Sequence, residues 1–296
     1  IESHGLHPHL YADDTQTYGS CSPSVSAELQ CRLSECVSDV ASWMRSNRLQ
    51  LNATKTELLW CSSARRQHQI PNAPIAVGSD NITPVRSVRD LGIYVDSDVS
   101  MRTHVVKTVS SCFAVLRRKC SIRRLVTSAV LKSLVVSLVL PRMDYGSATL
   151  AGLPRQLLDR LQSVMNAAAR LVFSVRKFDH ITPLLRDLHW LRAPQRIEYR
   201  LAVLAFRCQH GLAPSYLSTQ LHRVSDVESR RRLRSASTTA LVVPRTHHQT
   251  IGDRAFPVSA ARVWNSLSPA VTMSTSLSSF KRNLKTELFT RSYPNV

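Results

Sequence analysis

Two adjacent carboxylates, Asp13 and Asp14, stand in the run Leu10-Tyr11-Ala12-Asp13-Asp14-Thr15-Gln16-Thr17-Tyr18. β-prone residues flank the pair, so the segment reads as a strand, a tight acidic turn and a returning strand. Acids held at such a turn present hard oxygen ligands at a fixed point, which suits Mg²⁺. The chemistry that two such ligands could serve is two-metal nucleotidyl transfer. One ion activates an attacking 3′-hydroxyl and the other neutralises the triphosphate and its leaving group. An acidic pair alone is most often a solvated turn, so the surrounding residues decide.

The elements around the pair can be read in order. Ser22-Pro23 is a helix start signal. Val25, Leu29, Leu33, Cys36, Val37, Val40, Trp43 and Met44 then recur at helical spacing, giving an amphipathic helix to about Asn47. Thr56 to Cys61 reads as a strand. Ile75 to Val77 and Ile82 to Val85 flank Gly78-Ser79-Asp80-Asn81 as a hairpin, and Val88 to Val95 reads as one further strand that turns at Asp96-Ser97-Asp98. From Met101 the pattern becomes helical. Apolar stripes run through Val105–Cys120, through Leu125, Val126, Ala129, Val130, Leu134 and Leu138, and through Leu157–Val172. A further helix over Arg196–His210 has Gly211 as its cap. Thr219 to His248 is a polar, basic loop containing Arg230-Arg231-Arg232-Leu233-Arg234, and helices return at Phe256–Leu267 and Leu277–Phe289. The expected fold class is α+β, with a small antiparallel sheet followed by a mostly helical body.

Charge separates the two parts. The chain of 296 residues carries a formal net charge of +19. Residues 1–100 hold 8 Lys and Arg against 11 Asp and Glu, whereas residues 101–296 hold 31 against 9. A body with that excess attracts polyanions, of which phosphate backbones are the usual kind. Most of the cations are arginines, whose planar fork suits phosphate better than an ammonium does. Candidate contacts are Arg117, Arg118, Lys119, Arg123 and Arg124 on the helical body, and Arg230, Arg231, Arg232 and Arg234 in the loop; the latter run could equally serve nuclear import. The 7 cysteines are odd in number and lack Cys-x-x-Cys spacing, which points to reduced thiols in a cytosolic or nuclear protein. His7, His9, His247 and His248 have no cysteine partner at zinc-ligand spacing. No signal peptide opens the chain, and the longest apolar run, near Val130 to Leu140, is too short to span a bilayer. Nucleus or cytoplasm, without secretion or membrane insertion, is therefore expected.

The segments together resemble the C-terminal part of the reverse transcriptase of non-LTR (LINE) retrotransposons, the jockey-like and chicken-repeat-like branch in particular. Hydrophobic-Tyr-Ala-Asp-Asp-Thr resembles the active-site hairpin. The helix ending Trp43-Met44, with Asn47-Arg48-Leu49-Gln50-Leu51-Asn52 after it, resembles the helix that follows that hairpin. Asn52-Ala53-Thr54-Lys55-Thr56-Glu57 matches Asn-x-x-Lys-Thr-Glu. Leu91-Gly92-Ile93-Tyr94-Val95-Asp96 with His104 resembles the primer grip. Arg254-Ala255-Phe256, Trp264-Asn265-Ser266-Leu267 and Ser279-Phe280-Lys281 are similar to the C-terminus of those proteins. Some relatives carry a C-terminal zinc knuckle, which this sequence lacks.

The resemblance implies an RNA-directed DNA polymerase acting on an RNA template, a DNA primer and dNTPs with two Mg²⁺ ions. Asp13 and Asp14 would be catalytic metal ligands. Lys55 would lie near the triphosphate and could protonate the pyrophosphate, rather than being a solvated loop lysine. Glu57 would brace its loop, Leu91, Gly92 and Ile93 would belong to the primer grip, and Asp96 and Asp98 would be turn residues. The implied organisation is a palm remnant with primer grip over residues 1–100, a thumb-like helical domain over 101–215, and a basic loop with C-terminal helices over 216–296. In that family a third metal-binding aspartate lies well upstream of the hairpin. The only acid before Asp13 is Glu2 and the first residue is not Met, so the chain reads as a fragment that is inactive alone. The rival reading is a non-catalytic basic protein that binds RNA or DNA. Trp190 and Trp264 read as core anchors.

Overall fold

The computed structural model describes residues 1–227, 239–246 and 249–294. The chain divides into two compact units, Ile1–Thr103 and His104–Val296, and the architecture is mixed α+β.

The first unit is three two-stranded antiparallel hairpins gathered with one long helix. Strands β1 (His7–Tyr11) and β2 (Asp14–Tyr18) pair with Tyr11 opposite Asp14, so Ala12-Asp13 is the two-residue turn. Pro23–Val25 forms a 3₁₀ turn that leads into α1 (Ser26–Ser46). Leu29 and Cys36 of α1 are buried with Leu6, and Leu33, Val40 and Trp60 pack around them. Gly19 passes close against this cluster: a Cβ there would lie 2.8 Å from Leu6 and 3.0 Å from Leu29, so a larger residue would displace the Leu6 side chain. The C-terminal part of the expected stripe is not covered, and Trp43 is 61% exposed. Strands β3 (Ile75–Val77) and β4 (Asp80–Ile82) form a hairpin there, but its turn is only Gly78-Ser79, so the second strand begins within the expected turn and ends at Ile82 rather than running over Ile82–Val85; Ile75 and Val77 are buried.

Two expected strands take another form. Thr56 to Cys61 is not a strand; its pairing is a single bridge from Leu58 to Pro84, with Val85 N–H donating to Leu58 O at 2.9 Å. Pro84 has no N–H to continue a ladder. Val88 to Val95 is a hairpin rather than one strand: β5 (Ser87–Asp90) pairs with β6 (Ile93–Asp96). The turn is Leu91-Gly92, with φ of 44° and 86°, the left-handed pair that a tight two-residue hairpin of this twist requires.

The second unit is built of helices. They are α2 (Arg102–Ile122, beginning in the first unit), α3 (Ser128–Leu138), α4 (Leu140–Asp144), α5 (Arg155–Phe173), α6 (Ile181–Asp187), α7 (Ala193–Gln209), α8 (Ser215–Ser218), α9 (Gln249–Gly252), α10 (Phe256–Asn265), α11 (Pro269–Thr272) and α12 (Leu277–Ser292). Helix α7 lies at the centre and packs on α5, α10 and α12. Phe206 of α7 stacks on Phe280 of α12 with ring centroids 4.4 Å apart, and Trp264 of α10 covers Phe280 at 5.8 Å. Each buried aromatic of this kind contributes roughly 1.5–3 kcal/mol through apolar burial. These contacts join helices on both sides of residue 215 within the compact unit His104–Val296. Gly211, at φ 67°, closes α7 as expected, with Leu212 N–H donating to Arg207 O at 2.8 Å.

In α3 the buried residues are Leu131 and Val135, not the expected stripe: Ala129, Val130 and Leu138 are exposed. The helix is apolar almost all round, so periodicity could not choose its face. Among the described residues no helix is long and apolar enough to cross a membrane.

Candidate active-site hairpin and basic surface

The acidic pair sits at the tip of the first hairpin. Asp13 occupies the second turn position and Asp14 opens β2; both are exposed. Ala12 before them takes φ 53°, a left-handed conformation costly for a residue with a Cβ. The turn therefore holds the two carboxylates out into solvent at the end of a rigid ladder. Among the described residues, no group of three His, Cys, Asp or Glu is placed to hold a metal ion. Asp13 and Asp14 supply hard oxygen donors, but they do not by themselves complete a two-ion centre.

The hairpin is joined to a segment far away in sequence. The Gln16 side-chain amide on β2 donates to Asp90 at the end of β5. Asp90 directly precedes the Leu91-Gly92 turn and pairs with Ile93. The acidic hairpin and the Leu91-Gly92-Ile93 turn are thereby brought together across 74 residues.

Lys55 ends a 3₁₀ turn, Ala53–Lys55, and its side chain is exposed. Asn52 organises this loop. Its carbonyl accepts from Lys55 N–H at 3.1 Å and from Thr56 Oγ1 at 2.9 Å, and its Oδ1 accepts from Thr54 Oγ1 at 2.6 Å. Glu57 is exposed, and the hydrogen bonds found in this loop are those to Asn52.

Asp98 lies in the turn as expected, whereas Asp96 closes β6, and both have a capping role. Asp96 Oδ2 accepts from Thr103 N–H at 3.1 Å and from Ser100 Oγ at 3.1 Å; Asp98 Oδ1 accepts from Ser100 N–H at 3.0 Å. Asp96, 7% exposed, thus satisfies an orphan donor at the start of α2.

The basic residues Arg117, Arg118 and Lys119 lie near the C-terminal end of α2, and Arg123 and Arg124 in the turn after it. All but the half-buried Lys119 are exposed, and none is in an ion pair among the described residues. Residues 99–143 contain no Asp or Glu at all. That acid-free run, which contains α2 and α3, is the stronger signal of a polyanion surface and could have been read from the sequence. Arg230, Arg231, Arg232 and Arg234, with His247 and His248, lie outside the described residues.

The C-terminal motif residues hold the fold. Arg254 Nε donates to Ala151 O at 3.0 Å. Trp264 Nε1 donates to Thr239 O at 2.8 Å. The Asn265 amide pairs with both backbone groups of Leu241, at 2.8 Å each, as a neighbouring strand would. Trp190 and Trp264 are buried core anchors, as expected. Comparison with protein-family models, with curated proteins and with solved structures gives no match for this chain.

Proposed function

We propose that the chain is the rear of the palm, the thumb and the C-terminal region of the RNA-directed DNA polymerase of a non-LTR retrotransposon, with RNA template, DNA primer and dNTPs as its partners. The observation that carries the reading is the Gln16–Asp90 hydrogen bond. A polymerase must bring its metal-binding acids to the primer end, and this bond ties the Asp13-Asp14 hairpin to the Leu91-Gly92-Ile93 turn. In this reading Asp13 and Asp14 are two Mg²⁺ ligands of a larger set, Lys55 serves the triphosphate, and the exposed arginines at the end of α2 track phosphates. Mg²⁺, when bound, supplies charge neutralisation at the phosphates. A hairpin of two strands with Leu10, Tyr11 and Tyr18 all more than half exposed is marginal alone, which supports a missing partner strand.

The incomplete carboxylate set favours one rival, a non-catalytic RNA- or DNA-binding protein. Primer extension on an RNA template with dNTPs and Mg²⁺ tests both. The chain alone should make no product. The chain joined to coding sequence that precedes Ile1 in frame should make product, and Asp13→Asn should abolish it. Templated synthesis by the chain alone overturns the incomplete site. Hybrid binding without synthesis by the longer chain selects the rival.

A further inference from the structure

A groove of about 620 Å³ opens in the first unit, apart from the acidic pair. Its apolar wall is Trp60, Ile70, Pro84 and Val85. Arg86, Arg102 and His68 also line it, and all three are exposed. Neither arginine is in an ion pair among the described residues. The acids on the same wall are engaged elsewhere: Asp96 and Asp98 hold Ser100 and the start of α2. These hydrogen bonds orient the two carboxylates toward Ser100 and Thr103, and the two exposed guanidiniums supply positive charge at the groove. Trp60 belongs to the core cluster on one side and lines the groove on the other.

We infer that this groove binds a nucleoside phosphate, with the base against Trp60 and the apolar wall and the phosphate at Arg86 and Arg102. The volume is that of a small-molecule site. Flat apolar walls suit a heterocycle, and planar guanidiniums suit a phosphate that they can meet bidentately. The shared chemistry admits two sources, a free nucleotide or one unstacked nucleotide of a single strand, for which an aromatic platform and cations are the general requirement. The inference does not rest on the polymerase reading, because it uses neither Asp13, Asp14 nor Lys55.

The test is titration of the full chain with AMP and, separately, with a ten-residue oligothymidylate, read by tryptophan emission and by calorimetry. Saturable quenching is expected, and Trp60→Phe should remove it. The pair Arg86→Gln and Arg102→Gln should weaken calorimetric affinity at least tenfold, while far-UV circular dichroism stays unchanged because both side chains are exposed. Tighter binding of AMP assigns a free nucleotide, and tighter binding of the oligomer assigns a strand. Absence of saturable binding of either probe, or affinity unmoved by the arginine pair, overturns the inference.

Discussion

Replacing Arg117, Arg118, Arg123 and Arg124 together by glutamine should flatten the salt dependence of nucleic-acid binding. All four are exposed, and residues 99–143 around them carry no acid to neutralise them. Each cation that meets a duplex phosphate releases condensed counterion and contributes about 0.9 to the slope of log K against log salt. Arg117 and Arg118 are neighbours on α2 and project about 100° apart, so the pair is counted as one contact with a single duplex. Three contacts are then the working number, which gives a slope smaller by about 2.7 and an affinity about 100-fold lower near 0.15 M salt. The assay is fluorescence anisotropy with an RNA–DNA hybrid between about 0.05 and 0.3 M salt. Thermal unfolding of the variant should match the parent, since exposed substitutions of this kind change stability by no more than about 0.5 kcal/mol. A slope unchanged within about 0.5 would refute the assignment. A lower affinity with an unchanged slope would place the effect in folding rather than in phosphate contact.

Three further outcomes follow from packing and protonation. Asp144 takes Arg196 in a two-pronged pair at 2.9 and 2.6 Å, with both side chains 17% exposed. Asp144→Asn strands a nearly buried guanidinium and should cost about 2–4 kcal/mol, a fall of roughly 5–12 °C in melting temperature; a loss below about 1 kcal/mol would count against it. Asn265→Ala removes both hydrogen bonds to Leu241 and should cost about 1–3 kcal/mol in urea unfolding, whereas Asn265→Asp should rescue only the Leu241 N–H bond. Burial raises the Glu198 carboxyl above its ordinary value of 4.5, opposed by the positive charge of Arg291. Because the folded value lies above the unfolded one, ionisation penalises the fold at neutral pH, and the penalty fades as pH falls toward 4.5. Glu198→Gln should therefore be more stable than the parent at pH 7 and equal to it below about pH 4 in chemical unfolding.

Where structure follows from neighbours along the chain, the residues announced it. The Tyr11-Ala12-Asp13-Asp14 turn needed only β-prone flanks, α1 needed only its apolar repeat after Ser22-Pro23, and the end of α7 needed only Gly211. The Leu91-Gly92 turn was hidden because a leucine at φ 44° is a poor turn former. The buried face of α3 was hidden because its helix is apolar nearly all round. Thr56 to Cys61 carries a strand pattern without forming a strand, because its partner is a proline, Pro84, and pairing partners are not local information.

The α+β class, the acidic pair at a hairpin tip and the basic second part are legible in the residues alone. These depend on residue type and short spacing, which local backbone preference and charge convert directly into structure. That Gln16 meets Asp90, that Asn265 stands in for a strand beside Leu241, and that Trp60, Arg86 and Arg102 share one groove emerges only when the chain is folded. Those contacts join segments separated by 16 to 74 residues, and their partners are chosen by burial and by the closing of unpaired hydrogen bonds, which no local pattern encodes.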